Sequence, residues 1–388
     1  MNAITPLLTR RKLGIGANRA SKRRVFFNLI LITLVVAVLV LAQIFVVSMS
    51  RGIADKWAYL ADGHLQLYLG PGQELPTHPN IDSIEEVGEV NALLYSPDKN
   101  QMVRVKGVES TYFSKRRLEQ LSIRVGEAST STLARIMIST TLADQLSVSL
   151  GDRLALMMVS NDAIRAQLCI IEALYDSGYR ELDEQLIYCD LSFVKRLFGT
   201  GLASSWEILT ENGRLNALKD DLERAGYLST TWEEQNAALS TNLDTSRQAV
   251  LAVMVVVAIL CGYFISELSA QMVEDDKARI ATLHLIGADP RTVRTAYWRA
   301  VMAITAVSLT LGTLLGILCA RLLPPVLAHL SARSYSALSF YLLDFPIRIP
   351  VLDISIIVSV LLLVSAISVH LSLKRVAAIE PLSCVRFD

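Results

Sequence analysis

Charge is scarce in this chain, and the usual marks of catalysis are missing. Only 19% of its 388 residues are charged, and 37 basic and 37 acidic side chains cancel to a formal net charge of +0. The five histidines, at positions 64, 78, 284, 329 and 370, lack metal-ligand spacing, so no metal is expected. No GxSxG, HExxH or CxxC occurs, which removes the common serine-hydrolase, zinc-protease and dithiol frameworks. No GxxxxGK[ST] occurs either, so any ATP-driven step needs a separate ATPase chain. Asp, Glu and Ser are abundant, but none marks a dyad or a nucleophile. A binding or mechanical role is expected over an enzymatic one.

Apolar residues are what the chain has in excess, at 52%, with a mean hydropathy of +0.41. Four runs carry no Asp, Glu, Lys or Arg: Val25–Ser50, Gln248–Ser266, Ala300–Ala320 and Ile354–Leu373. Each is roughly 19–26 residues, and about 20 helical residues cross a hydrocarbon core. Soluble helices keep a polar stripe, and these have none. The expected fold class is an α-helical membrane protein with four transmembrane helices and a mixed α+β extracytoplasmic domain between the first and second.

Lys and Arg set the orientation. The first 24 residues hold seven basic side chains and no acid, which puts that end in the cytoplasm. The first run is too long for a signal-peptide core and no small-residue cleavage pattern follows, so it reads as an uncleaved anchor. Counting crossings places 1–24 inside, 25–50 in the bilayer and 51–247 outside. Residues 248–266 recross, and 267–299 form a cytoplasmic loop. Residues 300–320 span again, 321–353 form a short outer loop, 354–373 span, and 374–388 are an inner tail. The expected topology is multi-pass with both termini cytoplasmic.

The outer domain mixes two periods. Strands are expected at 63–69, 134–139, 153–159, 167–174, 184–190, 205–210 and 227–232. Helices are expected at 140–148, capped by a threonine, at 191–198, and at 214–225 ending before Gly226. From Glu233 the chain reads helical, continuing without a break into the second span. Two cysteines lie in the domain. LCII (168–171) and LIYC (186–189) flank the turn-rich DSGYRELDE, and a hairpin centred near Tyr179 would set Cys169 opposite Cys189. That makes them a candidate disulfide, against the alternative of buried free thiols.

The loop 280–293, IATLHLIGADPRTV, is too patterned for a connector. Ile280, Leu283 and Ile286 recur at i, i+3 and i+6, Gly287 suits a helix C-cap, Asp289 an N-cap, and Pro290 a first helical turn. Two uses fit equally: docking in a partner's groove, or lying on the lipid surface. In the third span, Gly312 and Gly316 form a GxxxG, either a close helix approach or incidental small residues.

The stretch KARIATLHLIGADPRTVRTAYWRAVMAITAVSLTLGTLLG resembles the signature of the FtsX/macrolide-exporter superfamily of ABC transporter permeases. Ile280, Leu283, Ile286, Gly287, Ala288 and Pro290 match its "RREIGxLRAxGAxxxxI" segment, while Ala278 and Arg279 replace the Arg-Glu pair. Within that superfamily, VVSMSRGIADKWAYLADGHLQLYL and ALYDSGYRELDEQLIYCDLSFVKRLFG resemble lipoprotein-releasing permeases, with Gly178, Leu182, Asp183, Leu191 and Leu197 in place. Arg375, Ala377, Ala378, Pro381 and Leu382 resemble that branch's ending. Thr140 and Thr141 stand where a glycine is usual. The hairpin 160–167 is short where the branch carries an extended loop toward a periplasmic carrier.

The resemblance implies a mechanotransmitting permease subunit in the inner membrane of a bacterium, binding no cofactor, with ATP and Mg handled by a partner ATPase. Ile280, Leu283, His284, Ile286, Gly287, Ala288 and Pro290 would seat in that ATPase. Other implied partners are a second permease subunit, homo- or heterodimeric, an amphiphilic cargo such as a lipoprotein, and a periplasmic carrier or adaptor. Nucleic acid is not among them. Cargo would enter past Phe45, Val46, Met49 and Ile53 on the first span and Val250, Met254 and Val257 on the second, residues that ordinary helix packing explains more readily. A macrolide- or peptide-type exporter and an FtsX-like regulator of cell-wall hydrolases remain alternatives.

Overall fold

A computed structural model describes residues 19–70, 72–97, 99–126, 133–160, 163–198, 204–210, 214–275, 280, 282, 286, 289–331 and 347–373. Four long helices dominate: α1 (Arg19–Lys56), α8 (Ala237–Asp275), α9 (Pro290–Ser331) and α10 (Val351–Ser372). Each is long and apolar enough to cross a membrane. α1, α8 and α9 run well beyond the uncharged stretches, because charged and polar turns at their ends still hold helical hydrogen bonds outside the bilayer.

The chain forms two compact units. The helical one takes in α1 up to Ser48, α8 from Asp244, α9 and α10. Its core is built from one face of each helix: Ile32, Val36, Val40 and Ile44 from α1, Met254, Ala258, Cys261 and Ile265 from α8, Val301 and Leu309 from α9, Ile357 and Leu361 from α10. Other faces stay bare, with Leu34, Val256, Leu314 and Leu363 each more than half exposed. Apolar surface left out of a core in this way suits a lipid solvent.

The second unit, around Met49–Leu243, is β-rich. α1 widens at its end into a π-helical turn, Trp57–Asp62. Among the described residues ten strands follow: β1 (Leu65–Tyr68), β2 (Ser83–Tyr95), β3 (Asn100–Val108), β4 (Ser122–Val125), β5 (Ala134–Ser139), β6 (Arg153–Ser160), β7 (Ala163–Asp176), β8 (Leu186–Asp190), β9 (Ser204–Leu209) and β10 (Leu228–Thr231). Short helices lie between them: α2 (Lys115–Leu118), α3 (Thr140–Leu146), α4 (Arg180–Asp183), α5 (Leu191–Phe198), α6 (Leu215–Arg224) and α7 (Trp232–Gln235).

Strand pairing closes a ring, β2–β3–β8–β5–β7–β6 and back to β2. Residues of one parity fill it: Ala92 and Leu94, Val103 and Val105, Ile136 and Ile138, Leu154, Leu156 and Met158, Cys169 and Ile171, Ile187 and Cys189. The period of two therefore writes the barrel interior directly into the strands. The two longest strands change partners along one edge. β2 pairs β9 over Ser83–Gly88 and then β6 over Ala92–Tyr95. β7 pairs β6 up to Ile170 and then β4 over Ala173–Asp176. Off β9 hang β1 and β10, which pack with α6 around Leu65, Leu67, Ile208, Leu218 and Leu222.

Three expectations change. β7 and β8 are not a hairpin pair: β5 runs between them, with Ala134 opposite Cys169 and Ile136 opposite Cys189. Two strand spacings are about 9.6 Å, beyond the roughly 7 Å Cα limit for a disulfide. Both thiols are free and buried, and burial pushes Cys169 up to about 12 and Cys189 higher still. The α3 cap is Ser139, whose hydroxyl accepts from Leu142 N at 2.9 Å, not the threonine after it. The run from Glu233 into α8 is broken at Asn236 (φ −108°, ψ 48°), after a capping box in which Thr231 and Glu234 bond reciprocally.

Candidate functional site

The 280–290 loop is described at four of the residues that matter. Ile280 is fully buried in the helical core, whereas Ile286 is 79% exposed. Six helical steps of about 100° turn a side chain by roughly 240°, so i and i+6 diverge where i, i+3 pairs do not. Ile286 N donates to Thr282 O at 3.1 Å, one helical turn. Asp289 then caps α9: its carboxylate accepts from Arg291 N at 3.0 Å, its carbonyl from Thr292 N at 2.9 Å, and Pro290 opens the helix. Leu283, His284, Gly287 and Ala288 lie outside the described residues.

The two glycines of the third span are an observed close approach. A Cβ on Gly312 would stand 2.8 Å from Thr33 O and 2.7 Å from Val36 Cβ. One on Gly316 would stand 2.8 Å from Ala37 O. α1 and α9 thus touch backbone to backbone, and Thr33 Oγ1 adds a 3.5 Å bond to Ser308 O. A second seam went unread. Gly262 on α8 would meet Val364 Cγ1 at 2.5 Å, and Ser372 Oγ donates to Ser266 O at 3.0 Å, joining α8 to α10.

The seven cargo-cavity candidates divide. Met254 is buried in the helical core, with Val250 and Val257 packed against it. Ile53 is buried and Met49 half-buried against the other unit's tyrosine-rich core. Phe45 and Val46 are half-buried. Near them is a polar contact between three helices: Gln43 on α1, itself fully buried, donates to Asp353 on α10 at 3.1 Å, and Arg247 on α8 pairs with the same carboxylate at 3.3 Å.

The densest electrostatics are in the β-rich unit, around the π-helical turn. A helix end leaves carbonyls without intrahelical donors. Here side chains from four elements take them. Arg117 Nε donates to Tyr59 O at 2.9 Å. Leu60 O accepts from Lys106 Nζ at 3.3 Å, Tyr112 OH at 3.2 Å and Tyr188 OH at 3.0 Å. Lys106 also reaches Ala61 O. Lys106 and Arg117 are fully buried and share Glu207, equally buried on β9. Burial lowers the Lys106 amine, opposed by Glu207 and Glu89, and burial raises the Glu89 carboxyl. Above this triad Asp62 accepts from Arg104 at 2.7 Å through one oxygen and from Asn236 at 2.7 Å through the other. Sequence reasoning missed the whole cluster. Its signal was charge inside apolar strands: Arg104 and Lys106 in MVRVKGV, and Glu207 in SSWEIL.

Four helices of spanning length and a β-rich domain define the class: a multi-pass membrane protein. Residues 251–381, covering most of α8 with α9 and α10, match the FtsX-like permease C-terminal family. The chain is 21% identical over 337 residues to the lipoprotein-releasing system transmembrane protein LolC of Xylella fastidiosa strain Temecula1, covering 80% of this chain and 79% of the relative. It is 22% identical over the same length to that protein from strain 9a5c. Among solved structures, the extracellular domain of the noncanonic ABC-type transporter YknZ from Gram-positive bacteria aligns with 43% of this chain and 98% of its own at 13% identity. Its TM-score of 0.28 supports no conclusion.

Proposed function

We propose that this chain is the permease subunit of an ABC transporter that releases lipoproteins from the bacterial inner membrane. The observation that carries the reading is the LolC likeness, which extends over 80% of the chain and so reaches beyond the shared permease domain. In this reading a separate ATPase, holding ATP and Mg, seats against the exposed Ile286 turn. A second permease subunit completes the complex, and both ends of the β-rich unit feed into long helices that carry motion to it. The termini are cytoplasmic. Purifying the protein with its ATPase and identifying what co-purifies tests this: covalently lipidated chains are expected, and their absence overturns the cargo assignment. Ile286→Asp should abolish the complex with the ATPase, and a complex that survives overturns the docking assignment.

One observation favours a second reading, a macrolide- or peptide-type exporter. Ser160 pairs directly with Ala163, leaving two residues for the β6–β7 turn. A carrier-binding extension at that hairpin has no room on this subunit. Altered drug or peptide tolerance with normal lipoprotein sorting would select this reading.

A further inference from the structure

We propose that Asp62, Arg104 and Asn236, standing on the Lys106–Glu207–Arg117 triad, are positioning residues: a fixed joint through which displacement of the first and second long helices is delivered to the β-rich unit. The inference deepens the permease reading and rests on it.

Four observations carry it. The bonds at the π-helical turn run to backbone carbonyls of three successive residues, Tyr59, Leu60 and Ala61, so they grip the helix along its axis rather than one side chain. Their donors come from β3, α2, β8 and the short turn at Tyr112, so a pull on the helix end is shared across the sheet. Gly63 then turns at φ +69°, where a Cβ would lie 3.0 Å from Glu207 Cβ, so the chain leaves the joint in one conformation. Finally, Asn236 sits at the break before α8 and its amide reaches Asp62, so the exit of one long helix and the entry of the next meet on a single carboxylate. Apolar packing would stabilise a domain at least as well as buried ions do. Directional bonds to a helix end hold position, which packing alone does less well.

Asn236→Ala tests the joint with no change of charge. It removes the Asp62 bond and a local bond to Trp232 O. The complex with its ATPase is reconstituted in proteoliposomes holding a triacylated, fluorescently labelled lipoprotein as the probe. ATP turnover, probe release and the melting temperature of the complex are measured together. ATP turnover should stay within about twofold while release per ATP falls about tenfold, the scale of one hydrogen bond to a charged group. The exchanged pair Asp62→Asn with Asn236→Asp, which restores an amide–carboxylate contact, should recover most of the release. Unchanged release per ATP in Asn236→Ala overturns the joint. So does a loss of turnover, release and melting temperature together that the exchanged pair does not repair, since that marks a plain structural role. If the wild-type chain binds no ATPase, or binds one but does not release the lipoprotein, the permease reading fails first, before any variant is compared.

Discussion

The two units hold themselves together by opposite means. In the helical unit the contacts that fix geometry are small: glycines at 262, 312 and 316, and serine and threonine hydroxyls bonded to carbonyls. In the β-rich unit they are large and charged: a closed barrel with a full apolar interior, and a triad of fully buried ions beside it. The physical reason is the solvent. Lipid is as apolar as leucine, so helices gain little by hiding leucines from it and associate where backbones can approach. Water drives apolar burial strongly, and a unit with surplus hydrophobic stabilisation can hold buried ions in place if each is paired. Position in the helical unit is specified mainly by absence of side chain, with the one carboxylate of Asp353 joining three helices, and in the β-rich unit by buried charge.

The sharpest way to break that contrast is at Glu207. Glu207→Gln leaves Lys106 and Arg117 buried with one carboxylate fewer, and removing a partner from a buried ion pair costs roughly 3–5 kcal/mol. The β-rich unit should melt far below wild type, read by the fluorescence of Trp206 and Trp232 in detergent. A melting point within a degree or two would show that the charges are dispensable for stability. The corresponding strike on the helical unit is Gly316→Leu. Its side chain would meet Ala37 O and Val40, and overpacking of this kind costs about 1–3 kcal/mol. Leu314 on the same helix is 64% exposed, and Leu314→Val should change the melting temperature little. Equal effects at 314 and 316 would deny that glycine sets the α1–α9 distance.

The sequence disclosed these two units unequally. Uncharged runs are a signal of composition, and all four coincide with helices of spanning length. Burial alternates along ARIMIS and RLALMMVS because one face fills the barrel, although the outward Met137, Ala155 and Met157 are apolar too. What stayed hidden depends on contacts far apart in the chain. Cys169 and Cys189 look like hairpin partners until β5, which is earlier in sequence, is threaded between them. β2 and β3 escaped notice because β2 serves two partners, so its pattern mixes two environments. Lys106 and Glu207 are 101 positions apart, and no local periodicity links them. Ile280 and Ile286 share an apolar label but not a face, a matter of helical angle that a list of hydrophobic positions conceals.

A gentler probe uses pH. Asp183 is buried, accepts from Ser177 N at 3.3 Å through both oxygens, and is pushed up to about 7, chiefly by burial. The folded state therefore keeps its proton where the unfolded chain, near the ordinary Asp value, has lost it. Folding stability from this group is greatest below about pH 4, falls as pH rises toward 7, and is level above that. Asp183→Asn should flatten that decline, so the variant's melting temperature changes less between pH 5 and pH 7.5 than wild type's. Parallel curves for the two proteins would locate the titration elsewhere.

The smallest expected effect is at the barrel cysteines, and it tests the topology itself. With β5 between their strands the two thiols cannot bond, and burial holds both protonated, which slows attack on an alkylating reagent. Protein unfolded in iodoacetamide without reductant should therefore yield peptides fully alkylated at Cys169 and Cys189. In the native state both should label far more slowly than after unfolding. Replacing either by alanine should leave non-reducing mobility unchanged. A mass corresponding to a 169–189 crosslink would require β7 and β8 to be neighbours, and the six-stranded ring, together with its contrast to the glycine seams, would have to be redrawn.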